Sequence, residues 1–172
     1  MIEIYERISS DEPSEDECVY LLDRYKTHKD VVSHCKAVSR KALQITESLH
    51  SSCRLDRALI KSAALLHDIA KAEKNHALAG FDFLLRRGYP RVAEIVLYHH
   101  NLKSEDLENV TESTVVFYAD KLICKTDEVT LEERFSRSRE LCSTPEAHAA
   151  HQRQYHQALK ARALIESHSE LK

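Results

Sequence analysis

Glycine is almost absent from this chain. Its 172 residues include only Gly80 and Gly88, together with three prolines and no tryptophan. Tight hairpins and phosphate-binding loops rely on glycine, so the sequence is poorly suited to sheets and to nucleotide-binding loops. With 42% hydrophobic and 31% charged residues, the chain can bury one core. We therefore predict an all-α fold, with one domain over residues 1–172 that forms a bundle of about seven or eight helices.

Apolar residues recur at helical spacing along most of the chain. After a polar lead over residues 1–13, Ser14 and Glu17 form a capping-box pattern that opens the first helix. In the second predicted helix the apolar stripe advances in alternating steps of four and three, and His34 lies at its edge. That stripe consists of Val31, Cys35, Val38, Ala42, Ile45 and Leu49. Further helices are predicted over about residues 56–67, 75–88, 90–99, 114–125 and 131–142.

We place the core of the domain at about residues 30–135 and a final helix at about residues 144–168. The apolar stripe of this last helix is weak, and it can dock either on the domain or on a second subunit, which would make the protein a homodimer. The helix also carries His148, His151 and His156. Because it is rich in glutamine and arginine, we predict a solvated helix and assign it no metal site.

Six side chains of metal-binding type lie along these helical segments. They are His34, the adjacent pair His67 and Asp68, His76, His99 and Asp120. Most stand inside apolar runs, where an unpaired polar group costs roughly 1–3 kcal/mol. The pair follows the apolar stretch of AALLHDIAK, and Asp120 is embedded in VVFYADKLI. A bound metal would supply a partner for all of them at once, and their nitrogen and oxygen donors favour iron, manganese or another divalent first-row ion.

The adjacent histidine and aspartate suit a centre with two ions. Successive residues of a helix differ in direction by about 100°, so such a pair can serve different ions, or one member can bridge them. Two ions about 3.5–4 Å apart can activate a water molecule and stabilise a phosphoryl group during displacement. Hydrolysis of a phosphate ester or anhydride at such a centre needs no nucleophilic side chain.

These residues also resemble a known family. The segments VVSHCKAVSRKAL, AALLHDIAK, HALAG, VLYHHN and YADKL occur in the order typical of the HD-domain superfamily. Its members are largely metal-dependent phosphohydrolases with an all-helical core, and the likeness covers about residues 31–134. The chain looks most like small, stand-alone bacterial HD proteins in which a histidine after the pair is followed by a small-residue glycine turn.

The resemblance implies a division of the ligands between two metal ions. His34, His67, Asp68 and Asp120 would hold the first, and Asp68 would also reach a second ion held by His76 and His99. His100 is an alternative ligand, because the doublet needs only one inward member. The resemblance makes Asp68 and Lys71 the catalytic residues, although Lys71 can equally be an exposed lysine that complements the helix dipole. A role for Lys121 has less support.

Charge and cysteine usage narrow the possible partners. The net charge of −3 has both signs interspersed, so we predict no nucleic-acid binding and instead a small substrate, which the resemblance implies to be phosphorylated and of nucleotide type. Five cysteines without a C-x-x-C pair read as reduced thiols. The amino terminus lacks a signal-peptide pattern and no apolar run reaches membrane-spanning length, which predicts a cytoplasmic protein without a membrane partner.

Two alternatives remain open beside hydrolysis. Some relatives with this kind of ligand set are mixed-valence diiron oxygenases that activate dioxygen rather than water. The other alternative is a catalytically silent, nucleotide-sensing module that keeps the ions for its shape.

Overall fold

The computed structural model describes residues 12–170, and the polar lead predicted at the amino terminus falls outside it up to residue 11. The described part forms eight α-helices and one short hairpin. The helices are α1 (Glu15–Arg24), α2 (Lys29–Ser48), α3 (Arg57–Leu66), α4 (His76–Leu85), α5 (Pro90–Tyr98), α6 (Glu112–Lys121), α7 (Leu131–Arg139) and α8 (Pro145–Ser167). A 3₁₀ turn at Glu105–Leu107 precedes α6. The predicted all-α fold is confirmed.

The hairpin is a departure from the prediction. Helix α6 ends at Lys121, and the chain then forms β1 (Ile123–Cys124) antiparallel to β2 (Asp127–Glu128). The sequence pattern predicts a helix to about residue 125, because no glycine marks the turn. Lys125 takes the left-handed conformation instead, with φ 58°. The chain therefore reverses where an apolar run suggested that the helix continues.

Helix α2 lies against α3 and α6, and α4 pairs with α5. The predicted apolar face of α2 is largely confirmed, since Cys35, Val38 and Ala42 are fully buried there. In α4 the apolar spacing of Leu78, Phe81 and Leu85 predicts the buried face, but Leu78 and Leu85 are 44% and 45% exposed whereas Leu84 is buried. The leucine that faces the core is therefore the neighbour of the one expected.

Helix starts follow local capping chemistry. The Asp56 carboxylate accepts hydrogen bonds from the backbone of Ala58 and Leu59, which fixes the start of α3. Ser14 caps α1 by accepting from the Glu17 backbone N–H. The reciprocal half of the predicted capping box is not formed, because the Glu17 carboxylate accepts from the Tyr89 hydroxyl instead.

Gly80 permits the close approach of α4 to its neighbours. A Cβ at this position would lie 2.9 Å from Val96 Cγ1 and 3.3 Å from Ile69 Cγ2. Only a residue without a side chain fits that contact. Since His76 begins the same helix, the packing at Gly80 helps to set the height at which this histidine meets α5.

Helix α8 packs on α6 and α7 of its own chain. Ala158, Ala161 and Ile165 are buried in that contact. The residues after α8 pair with the end of α2, where Leu49 and Ser169 form a β-bridge. The His50 N–H donates to the His168 carbonyl, and the Glu170 N–H donates to the Ser48 carbonyl, both at 2.9 Å. Among residues 12–170, none of the helices combines the length and apolar character needed to cross a bilayer.

Candidate metal centre

The six predicted ligand residues converge at one place, and we call them the ligand cluster. His34 comes from α2, and Asp120 is the penultimate residue of α6. His67 and His99 are the C-cap residues of α3 and α5, and His76 is the first residue of α4. Helix ends surround the site, so short side chains from five helical segments can reach a shared centre.

The segment that carries the adjacent histidine and aspartate is a turn rather than a helix. After Leu66 the chain makes short turns, in which the Ile69 N–H donates to the Leu66 carbonyl and the Lys71 N–H to the Asp68 carbonyl. The expectation that His67 and Asp68 are successive residues of a regular helix is therefore wrong. The helix ends at the histidine, which frees the aspartate to point into the cluster.

The Asp68 carboxylate lies between the two halves of the cluster. Its Oδ2 is 3.6 Å from His67 Nε2. Its Oδ1 is 3.3 Å from His76 Nε2 and 3.4 Å from His99 Nε2. One carboxylate therefore faces imidazoles on both sides, and this is the arrangement a bridging ligand needs.

Asp120 completes the half that contains His34. Its Oδ1 is 3.1 Å from His34 Nε2 and 3.5 Å from His67 Nε2. Its Oδ2 accepts a hydrogen bond from the buried Lys121 ammonium at 2.7 Å. One oxygen thus faces the imidazoles while the other is held by the neighbouring lysine.

In three of the imidazoles, the outer ring nitrogen, Nδ1, lies within hydrogen-bond distance of a backbone carbonyl. His34 Nδ1 is 2.8 Å from the Lys125 carbonyl, and His67 Nδ1 is 2.9 Å from the Ala64 carbonyl. His99 Nδ1 lies 2.6 Å from the carbonyl of Val96. Because a carbonyl only accepts, Nδ1 must donate, and each neutral ring then presents the Nε2 lone pair to the cluster.

Two of those lone pairs have no hydrogen-bond partner. Within residues 12–170, the buried side-chain atoms left unpaired are His67 Nε2 and His99 Nε2. Leaving such atoms unsatisfied costs roughly 1–3 kcal/mol each, so their burial requires an explanation. The residues fit a metal ion, because neutral imidazole nitrogens and carboxylate oxygens are the donors that divalent first-row ions prefer. His34, His67 and Asp68 bring their donor atoms within 4.8 Å of one another, as do His76, His99 and His100.

Electrostatics keep both aspartates ionised. Burial alone would raise the pKa of Asp120, but Lys121 and the imidazoles of His34 and His67 hold it well below its usual range. Asp68 behaves in the same way, because three imidazoles and Lys71 outweigh the effect of burial and lower its pKa. Both groups are carboxylates at neutral pH, which is the state that binds a cation.

The surroundings of the histidines shift their pKa values in different directions. Burial lowers the pKa of His99, and burial together with His99 and Lys121 lowers the pKa of His100 to about 2. Burial also opposes a charge on His67, yet Cys35 and the carboxylates of Asp68 and Asp120 raise its pKa. The space beside His67 is thus one where positive charge is stabilised.

The remaining predicted residues lie at the edge of the ligand cluster. The Lys71 ammonium is 3.2 Å from Asp68 Oδ1 and 3.0 Å from Oδ2, and its side chain is 44% exposed. Lys71 is therefore attached to the cluster while still reaching solvent, rather than acting only on a helix dipole. His100 Nε2 lies 2.8 Å from His76 Nε2, so this residue is positioned as a further donor on that side.

A cavity of about 920 Å³ opens over the cluster. Its inner end includes His34, Asp68, Lys71 and Asp120, and its outer side is formed by α7, α8 and the loop between them. We call this outer side the outer wall. It consists of Arg134, Phe135, Ser138, Cys142, Ala147, Ala150, His151 and Gln154.

The outer wall was not found from the sequence. His151 was predicted to lie on a solvated helix, but it is half-buried, and its Nε2 lies 3.0 Å from the Phe135 carbonyl and 2.9 Å from Ser138 Oγ. Phe135 contacts the rings of His151 and Tyr155 between the two helices, a grouping that the sequence pattern does not indicate. His148 and His156 are exposed, and neither belongs to a metal-type cluster of the described residues.

A comparison with known proteins also separates the ligand cluster from the outer wall. A family model described as the HD domain matches residues 31–123. The chain belongs to the HD domain family. Membership places it in a superfamily of metal-dependent phosphohydrolases, and the match covers every residue of the ligand cluster. That the chain is one of the stand-alone bacterial HD proteins stays a prediction.

Two curated relatives carry the same name, "tRNA (cytidine(56)-2'-O)-methyltransferase". The protein of Picrophilus torridus is 27% identical over 128 residues, which is 64% of this chain and 36% of that protein. The protein of Thermoplasma volcanium is 28% identical over 138 residues, or 70% of this chain and 40% of that protein. The HD chain thus spans less than half the length of these relatives. No solved structure matches the chain.

Proposed function

We propose that this HD protein is a metal-dependent phosphohydrolase that cleaves a phosphate ester or anhydride of a small, nucleotide-like molecule. The observation that carries the proposal is the pair of buried, unpartnered nitrogens, His67 Nε2 and His99 Nε2, on either side of the Asp68 carboxylate. A solely structural core would not retain two such atoms next to ionised carboxylates.

The ligand cluster divides into two proposed metal positions. His34, His67, Asp68 and Asp120 would hold one ion, and Asp68, His76 and His99 would hold the other, with His100 as an additional donor. The Asp68 oxygens face different imidazoles, which supports its role as the bridging ligand. The donor set favours iron or manganese.

When bound, such ions lower the pKa of water and stabilise negative charge on phosphoryl oxygens. The chain's own residues supply orientation and charge around that position. The carbonyls of Lys125, Ala64 and Val96 hold three imidazoles in the ligand-competent tautomer. The Lys71 ammonium is paired with Asp68 and its side chain is partly exposed, which supports a role as donor to a phosphate oxygen of the substrate.

The direct test is elemental analysis of freshly purified protein, combined with a screen of nucleotides and phosphodiesters under anaerobic conditions. We expect bound first-row metal and release of phosphate or a phosphomonoester without oxygen, and we expect a chelator to abolish the activity. Product formation that strictly consumes oxygen would instead identify an oxygenase. Ligand-induced stabilisation without turnover of any phosphate compound would identify a sensing module.

A further inference from the structure

Arg134 lines the cavity without a carboxylate partner. Two arginines of the described region are half-buried, Arg134 and Arg162. Arg162 donates to Glu132 at 2.9 Å, whereas the Arg134 guanidinium has no ion pair or side-chain hydrogen bond with residues 12–170. A guanidinium stays charged at neutral pH, and its planar donors suit a carboxylate or phosphate group. Arg134 therefore offers its donors to an anion that enters the cavity from outside the chain.

Two lysines that line the cavity differ from Arg134, because each pairs with a carboxylate of the ligand cluster. Lys71 pairs with Asp68, and Lys121 pairs with Asp120. These two ammonium groups thus balance carboxylates that belong to the cluster itself. Lys125 and Asp30 also line the cavity but are exposed, whereas Arg134 on the outer wall is half-buried and has no carboxylate partner among the described residues.

The outer wall also offers contacts for an uncharged organic group. Phe135, Ala147 and Ala150 provide apolar surface beside Arg134. The Gln154 amide lines the same cavity and forms no side-chain hydrogen bond with the described residues. All four belong to α7 or α8, beyond the segment 31–123 that matches the family model. A cavity of about 920 Å³ is large enough for a nucleotide-sized molecule.

We infer that Arg134 is a specificity-determining residue that binds a second, non-reacting anionic group, so that the substrate carries two phosphate groups rather than one. This inference rests on the proposed function, in which the reacting phosphate lies at the ligand cluster. Arg134 holds the second phosphate through its planar pair of donors, and the organic part lies against the apolar surface of the outer wall. The substrate class is therefore a nucleoside diphosphate or a related molecule with two phosphates.

The test compares binding of matched probes to the purified full chain by calorimetry. The probes are adenosine and guanosine 5′-(α,β-methylene)diphosphate, which resist hydrolysis, and the corresponding 5′-monophosphates. We expect the wild-type protein to bind the diphosphate analogues at least tenfold more tightly. Arg134→Ala should lose this preference by a factor on the order of 10 to 100, because a hydrogen bond to a charged group is removed. Monophosphate binding should change little.

Arg137→Ala is the matched control. Arg137 is an exposed residue of α7 and does not line the cavity, so its loss removes the same charge from the same helix. Arg134→Lys keeps the charge but loses the planar donor pair, and it should recover part of the preference. Circular dichroism and thermal unfolding of each variant verify that the fold is intact, and Arg134→Gln replaces the alanine variant if that one unfolds.

Several outcomes would overturn the inference. These are equal binding of both probe classes by the wild type, absence of binding by either class, a preserved preference in the Arg134 variants, and an equal loss in Arg137→Ala. If the preference depends on Arg134 but no phosphate compound is hydrolysed, the proposed function fails while the anion site stands. If phosphate esters are hydrolysed without a diphosphate preference, the inference alone fails.

Discussion

The ligand cluster and the outer wall form two sides of one cavity, yet their polar groups are organised in opposite ways. In the cluster, backbone carbonyls fix the outer Nδ1 atoms of His34, His67 and His99, so the chain itself orients these rings. On the outer wall, Arg134 and Gln154 have no side-chain partner among the described residues. The contrast suggests that the first side is preorganised for ions and the second is completed by a ligand.

The largest effect should come from Asp68→Asn, which removes the charge shared by both halves of the cluster. We expect metal content to fall at both positions and turnover to be lost, as measured by elemental analysis and phosphate release. Asp106→Asn is the control, because Asp106 is an equally buried aspartate that accepts from the Thr111 hydroxyl outside the cavity. Full metal and activity in Asp68→Asn would contradict the bridging role.

Removing one ligand from one half of the ligand cluster at a time should have the next largest effect. His34→Ala should deplete the ion bound with Asp120, whereas His76→Ala should deplete mainly the ion bound with His99. Each variant is expected to retain about half of the wild-type metal, because the remaining ligands stay in place. Metal-to-protein ratios after gel filtration test this division. Identical and complete loss in both variants would show a single cooperative centre.

The tight packing beneath the cluster is tested by Gly80→Ala. A methyl group there meets Val96 Cγ1 at 2.9 Å, so we expect a loss of about 1–3 kcal/mol in the free energy of unfolding. Val96→Ala creates space, so the double variant should be more stable than the sum of the two single effects predicts. Denaturant titrations of all three variants measure this coupling, and strict additivity would exclude the proposed contact.

The smallest predicted effect concerns the reactivity of two cysteines. Burial raises the pKa of Cys18 to about 12, so at pH 8 only about one thiol in ten thousand is ionised and reactive. Cys142 is partly exposed on the outer wall. We expect iodoacetamide to label Cys142 and to leave Cys18 unmodified. Of these two reactions, the diphosphate analogues should slow only the labelling of Cys142. Rapid labelling of Cys18 in the native protein would show that α1 opens readily.

The same shift sets the direction of an alkaline effect on stability. The thiol of the unfolded chain ionises near its ordinary pKa of 9.0, whereas the folded one remains protonated to about pH 12. Raising the pH above about 9 therefore favours the unfolded chain, and the contribution of Cys18 to stability declines as the pH approaches 12. Cys18→Ala should weaken this decline in urea titrations at pH 8 and pH 10.

The ligand cluster was easier to predict from the sequence than the outer wall. Most members of the cluster stand in or after a short apolar segment, so a polar residue is conspicuous in the local pattern, as with Asp120 within VVFYADKLI. Its grouping in space then follows from the resemblance to the HD family. The outer wall depends on how α7 and α8 meet, and tertiary packing of that kind leaves no local pattern for Arg134 or His151.

Two local errors have a similar origin. The hairpin after α6 depends on a left-handed lysine, Lys125, which no turn motif announces. In α4, the adjacent leucines 84 and 85 are equally apolar, so periodicity alone could not decide which one the core covers. In both cases the surrounding structure selects between conformations that the sequence leaves nearly equivalent.

The pairing of the residues after α8 with the end of α2 has a consequence for ligand entry. The bridge between Leu49 and Ser169 fastens the far end of a helix whose first half borders the cavity. A chain shortened after residue 167 would lose this fastening while keeping every metal-binding side chain. Such a truncation should let small molecules enter and leave faster without changing what the ions can do, thereby separating access from chemistry.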